Sequence, residues 1–180
     1  MKLWFNIVLS ALLSYSCSSQ NNTKNTEQKS DIKHSLIELK KYEQSLKRET
    51  VMSEEKAVEY ADKCLDIAHQ YPKTKEAPQM MNKAHIVLSS VGLYQRSVII
   101  ADSIILMYPM YEKRAMVLES LASSYDIFIV PRNKEKVKHY YEMLLMESKI
   151  LDQSKRESIE NRLKFIDLPF EEYILKQRKE

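Results

Sequence analysis

Apolar residues return every three or four positions through most of this chain, with charges between them, and each such stretch predicts an amphipathic helix. Ile32, Leu36, Leu39 and Leu46 predict a first helix from about Asp31 to Lys47. Ser53, followed by Glu54 and Glu55, predicts the capped start of a second, with Ala57, Ala61, Cys64, Leu65 and Ala68 inside and Pro72 closing it. Thr74 can cap a third, with Pro78 in its first turn, where a missing N–H costs little. Its inner face would be Ala77, Met80, Met81, Ala84, Val87, Leu88 and Val91, and Gly92 is placed to turn the chain back.

The fourth helix, about Leu93 to Met107, is apolar almost all round: Val98, Ile99, Ile100, Ala101, Ile104, Ile105 and Leu106. That pattern predicts a helix covered on both sides. A fifth is expected from Tyr111 to Ile129, with Ala115, Leu118, Ala122 and Tyr125 in line and Pro131 as breaker. Asn133 can cap a sixth carrying Val137, Tyr140, Tyr141, Leu144 and Leu145. Ser154 with Glu157 has the capping-box spacing for a seventh, with Ile159, Leu163 and Ile166 inside. Pro169, Glu171 and Glu172 open a short eighth that uses Phe170, Tyr173 and Ile174. The single glycine leaves no room for tight hairpins, a P-loop or a dinucleotide fingerprint, so the chain reads as all-α.

The start of the chain departs from this pattern. Lys2 precedes an apolar run, Leu3 to Leu13, far short of the roughly 20 residues that span a bilayer. It reads as a signal peptide over residues 1–16. The run closes on Ser16-Cys17, a small residue before cysteine, which resembles the lipobox of bacterial lipoproteins. That resemblance implies a lipidated Cys17, although Ser14 stands where Leu is usual and Tyr15 is bulky. An ordinary secreted protein with a leftover cysteine is the competing reading. Ser18 to Ser30 holds no apolar residue and reads, with Cys17, as a flexible tether over residues 17–30. By the sorting logic of such lipoproteins, Ser18 after the cysteine implies the outer membrane, facing the periplasm.

Residues 31–180 then form one domain with room for a core. The net charge of +3 is spread along the chain and gives no basic face for nucleic acid. With Cys17 taken, Cys64 has no disulfide partner and reads as a small core residue.

Tyr71-Pro72 recurs about 37 residues later as Tyr108-Pro109, with a helix, a glycine turn and a helix between. "VGLYQRSVIIADSIILMYP" (Val91 to Pro109) resembles the second half of a tetratricopeptide repeat: Gly92 at the turn, Tyr94 the aromatic, Ser97, Ala101 and Ile104 at packing positions, Pro109 at the end. "AVEYADKCLDIAHQYP" (Ala57 to Pro72) and "NKEKVKHYYEMLLME" (Asn133 to Glu147) resemble further second halves, the latter displaced by residues inserted around Phe128 to Arg132. The resemblance, over roughly Asp31 to Ser148, implies antiparallel helix pairs stacked as a short right-handed TPR-like solenoid. The whole chain is similar to small tetratricopeptide-type lipoproteins of Bacteroidetes, and distantly to the helical-repeat lipoprotein of the outer-membrane barrel-assembly machinery. A plain helical bundle with a fortuitous Tyr-Pro echo fits the same periodicity.

No catalytic or metal-binding motif is written in this chain. His34, His69, His85 and His139 do not pair at helical spacing and read as surface or groove-edge residues. Met80, Met81, Met107, Met110 and Met116 read as core filling. No cofactor and no enzymatic activity are expected. The expected function is a membrane-tethered protein-interaction module holding an envelope protein or peptide. The alternatives are a structural subunit of an envelope assembly and, less favoured, an enzyme with an unrecognised site. The resemblance puts the partner-binding face off the apolar stripe of the repeats' first helices: Gln79, Asn82, Lys83, Ile86 and Ser89, then Ser120, Ser123 and Ile127. The same positions also suit a merely solvated face.

Overall fold

Proline and glycine set most of the turns, and the helices between them are those the periodicity predicts. The computed structural model describes residues 16–46, 51–147 and 151–178, with side chains from residue 30 onward. The chain divides at Ser45–Leu46 into two units. The first holds α1, Ser16–Leu46, except its last residue. It begins well before the expected Asp31 and continues through much of the polar stretch read as a tether. No glycine or proline interrupts that stretch, so nothing in it breaks a helix. Ile32 and Leu39 are buried. The leader read over residues 1–16 lies outside the described residues, apart from its last position.

The second unit is all-α. It holds α2 (Glu54–Gln70), α3 (Glu76–Ser90), α4 (Tyr94–Met107), α5 (Arg114–Ser123), α6 (Lys134–Met146), α7 (Gln153–Lys164) and α8 (Phe170–Gln177). Consecutive helices pack as antiparallel pairs from α2 to α7. Ala57, Ala61, Cys64, Ala77, Ala84, Leu88, Ala101, Ile104, Leu118, Leu121, Ala122 and Val137 lie in the core, all fully enclosed. In α2 the buried position is Ile67, with Leu65 only half-buried, a small rotation of the expected stripe.

The caps follow local chemistry. Ser53 Oγ accepts from Lys56 N, and Asn133 Oδ1 accepts from Lys136 N at 3.0 Å, as expected. Two expected caps move. Lys75, not Thr74, precedes α3, and the Thr74 hydroxyl instead donates to Tyr71 O at 2.8 Å. Asp152, not Ser154, caps α7: its carboxylate accepts from Lys155 N at 2.7 Å and starts the helix two residues before the expected cap position would. Gly92 takes φ +83, with Leu93 N bonded to Leu88 O and Gly92 N to Ser89 O, a Schellman turn. No atom lies where its Cβ would be, so the glycine is required by backbone angle alone.

Two expectations about the middle helices change. The expected fifth helix is shorter: α5 ends at Ser123 and passes into a π-helical segment, Ser124–Phe128. Helix α4 is not covered on both sides. Ser97, Val98, Ile100, Ala101 and Ile104 are buried, but Ile99 is 64% and Leu106 83% exposed. A helix apolar all round gives no sequence signal of which face is left open.

Candidate functional site

The two Tyr-Pro corners fold alike. Tyr71 and Tyr108 end their helices with nearly the same backbone angles, φ −126 and ψ 53 against φ −127 and ψ 66. At each corner the same hydrogen bonds follow: Thr74 N to Tyr71 O and Tyr111 N to Tyr108 O, then Ala77 N to Thr74 O and Arg114 N to Tyr111 O. The corners also touch, since the Tyr108 hydroxyl donates to Pro72 O at 3.0 Å.

Between them lies an open groove of about 590 Å³. The first corner and the start of α3 contribute Pro72, Lys73, Thr74, Lys75, Pro78 and Gln79. The end of α4 and the second corner contribute Met107, Tyr108, Pro109, Met110, Tyr111 and Glu112. Three prolines, two tyrosines and two methionines make the walls mostly apolar. Met110 is 93% exposed and Met107 is half-exposed, so these two are not core filling as expected, while Met80 and Met81 are. Met116 is also exposed. Burial, and Glu112 beside it, push the Tyr111 phenol above its ordinary pKa, and a hydrogen bond from Asn82 opposes them.

Of the eight residues expected on the partner face, Gln79 alone lines this groove. Ile86 is exposed, and Lys83, Ser89 and Ile127 are half-buried. Asn82 does not lie on that open face: it is buried and bonded to Tyr111. Ser120 Oγ is 2.8 Å from His85 Nε2, and Ser123 hydrogen-bonds Tyr141. The side chains of Asn82, Ser120 and Ser123 thus join elements of the fold.

His85 is likewise not at a surface. It is 1% exposed, at the meeting of α3, α4 and α5. Ser97 Oγ donates to His85 O at 2.9 Å, so that hydroxyl accepts from the ring Nδ1–H at 2.7 Å. Nε2 is then the acceptor from Ser120. This network holds the ring as one neutral tautomer, and burial lowers its pKa.

A second cluster joins α4, the π segment and α6. The Asp102 carboxylate accepts from the Tyr140 hydroxyl and, at 3.2 Å, from Tyr125. Lys136 Nζ donates to the Tyr125 oxygen at 2.6 Å and lies over its ring. Burial and Asp102 raise the pKa of Tyr140, so its hydroxyl serves as a proton donor to a carboxylate rather than as a base.

A third cluster is a buried clamp that local sequence reading misses. Asp126, in the π segment, is bound by Arg162 Nε and Nη2 at 2.7 and 2.8 Å and by Arg132 at 2.8 Å. The Asp126 carboxylate is fully buried and the Arg162 side chain 4% exposed. Arg162 also donates to Phe165 O and Leu168 O, and Arg132 to Ile166 O. The clue was faint: Arg162 falls one turn after Ile159, on the buried side of α7. Among the described residues no group of three His, Cys, Asp or Glu side chains converges on a metal-sized site. No described helix is long and apolar enough to cross a membrane.

Comparison with known proteins gives no matching family model, no matching curated protein and no matching solved structure.

Proposed function

We propose that this chain is a non-catalytic protein-interaction module, a short TPR-like solenoid tethered through a lipidated Cys17 to the periplasmic face of the outer membrane. The observation that carries the reading is the groove between two corners of like conformation. Corner regularity across one repeat length supports a stacked-repeat scaffold, in which each unit contacts its neighbours and the seams between units offer repeated concave sites. The groove has the size of an ordinary binding cleft, and its walls are apolar with a few polar groups.

The three polar clusters support the same reading. Each knits helices together within the fold, and none pairs a nucleophile with a base beside an open cleft. The lipid tether rests on Ser16-Cys17 and the short apolar leader. Its physical logic is that several acyl chains on one residue anchor stably.

The exposed Ile99 and Leu106 on α4 favour a second reading, a subunit packed into an envelope assembly. Photo-crosslinking in the native envelope separates the two. A crosslinker at Met110 should capture a partner under the first reading, and one at Leu106 under the second. Silence at both sites would overturn both.

A further inference from the structure

We infer that the groove between the Tyr-Pro corners binds an extended acidic peptide segment that sets one apolar side chain between the corners. This rests on the interaction-module reading and names the ligand chemistry of its site.

Charge is the first argument. Lys73, Lys75 and Lys113 stand exposed at the two corners, and none forms an ion pair with any described residue. Several other cations of the unit have anionic neighbours: Arg96 with Asp62, Arg114 with Glu147, Lys134 with Asp167, Lys155 with Glu119. Glu112 is the one acid lining the groove. Lys73 and Lys75, with Lys113 close by, thus outnumber the one acid of the groove, which complements carboxylates on a ligand.

The walls are the second argument. The walls are helix ends and turns, and Pro72, Pro78 and Pro109 have no N–H, so the groove offers no strand edge for a ladder of backbone bonds. Recognition must come from side chains. Met110, a long flexible thioether almost wholly in solvent, closes one side and can re-pack around an apolar anchor. The groove opens to solvent, which suits a continuing chain rather than an enclosed small molecule. A lipid surface would need these apolar side chains on a protruding edge, whereas here they wall a concavity.

The test uses the full chain and a fluorescein-labelled peptide with one leucine between glutamate pairs, read by anisotropy. Saturable binding is expected, at least about tenfold tighter than to the same peptide with lysine for glutamate or serine for leucine. Lys73→Glu with Lys75→Glu, and separately Met110→Ser, should each weaken it about tenfold with unchanged circular dichroism. All three positions are exposed, so folding is not at stake. Equal binding of the lysine peptide, or indifference to these variants, overturns the proposal. So does binding of phosphatidylglycerol vesicles that the variants abolish and the peptide does not compete, which would make a lipid surface the occupant. If the peptide fails while crosslinking from Met110 still captures an envelope protein, the acidic-peptide inference falls and the interaction module stands.

Discussion

The phenol of Tyr108 donates to the carbonyl of Pro72, tying the second Tyr-Pro corner to the first at 3.0 Å. The bond joins residues 36 positions apart, and both of them line the groove. Tyr108→Phe keeps the ring and removes the donor. A partly exposed neutral hydrogen bond contributes about 0.5–1 kcal/mol, so the urea midpoint should fall slightly. Peptide binding should fall more than stability, because the two corners lose their common register. An unchanged midpoint and unchanged binding would show that the corners are held by packing alone.

His85 makes stability depend on pH in one direction. Burial holds its pKa in the folded protein below the ordinary 6.5. The unfolded chain therefore takes up this proton first as pH drops. The stabilisation is complete above about 6.5, declines as pH falls through that value, and levels off once the folded protein also protonates. Denaturant titrations between pH 7.5 and 5 should show the decline, and His85→Gln should lessen it. An equally steep decline in the variant would place the proton elsewhere.

Asp126 should matter more than any surface charge. Asp126→Asn leaves Arg162 and Arg132 without their carboxylate, and breaking a buried pair costs about 3–5 kcal/mol. Because the arginines also hold the carbonyls of Phe165, Ile166 and Leu168, the first region to loosen should be α7–α8. Hydrogen exchange should rise over residues 153–177 before it rises in α3 or α4. Uniform protection across the variant would mean that the clamp does not position the C-terminal helices.

Ala101 is fully buried among larger neighbours. Ala101→Arg would bury an unpaired charge at a helix crossing and should cost roughly 3 kcal/mol or more. A melting temperature within a degree or two of the parent would contradict that packing.

The proposed anchor has its own test. Cys17→Ala should release the protein from the membrane fraction. Trp4 is the only tryptophan and falls within the leader read over residues 1–16, so native mature protein should show tyrosine emission alone. Tryptophan fluorescence from a homogeneous native sample would mean that the leader is retained.

The sequence made the helices legible because periodicity, caps and breakers are local. Ser53, Asn133, Gly92 and the Tyr-Pro corners each act within a turn of themselves, and they fell where expected. What stayed hidden depends on residues far apart in the chain. His85 is buried because Ser97 and Ser120 meet it, 12 and 35 positions away. Arg162 is buried because Asp126 waits 36 positions upstream. A polar residue on a helix reads as solvent-facing until its partner is known, which is also why Asn82 reads as part of the open face. The groove was hidden for a related reason. Its walls are the loops that periodicity treats as punctuation.

The π segment makes chain length part of the clamp. A π turn holds more residues than the α turn it replaces, and here it carries Asp126. Deleting one residue between Ser124 and Phe128 would let the segment relax to ordinary α geometry, with no side chain made less suitable. It would also turn Asp126 about the helix axis relative to the residues before it and leave the chain to Arg132 one residue shorter. The carboxylate and the two arginines would then face different directions. This stretch is thus a spacer whose length carries as much information as its composition, and natural variants should tolerate substitutions here far better than insertions or deletions.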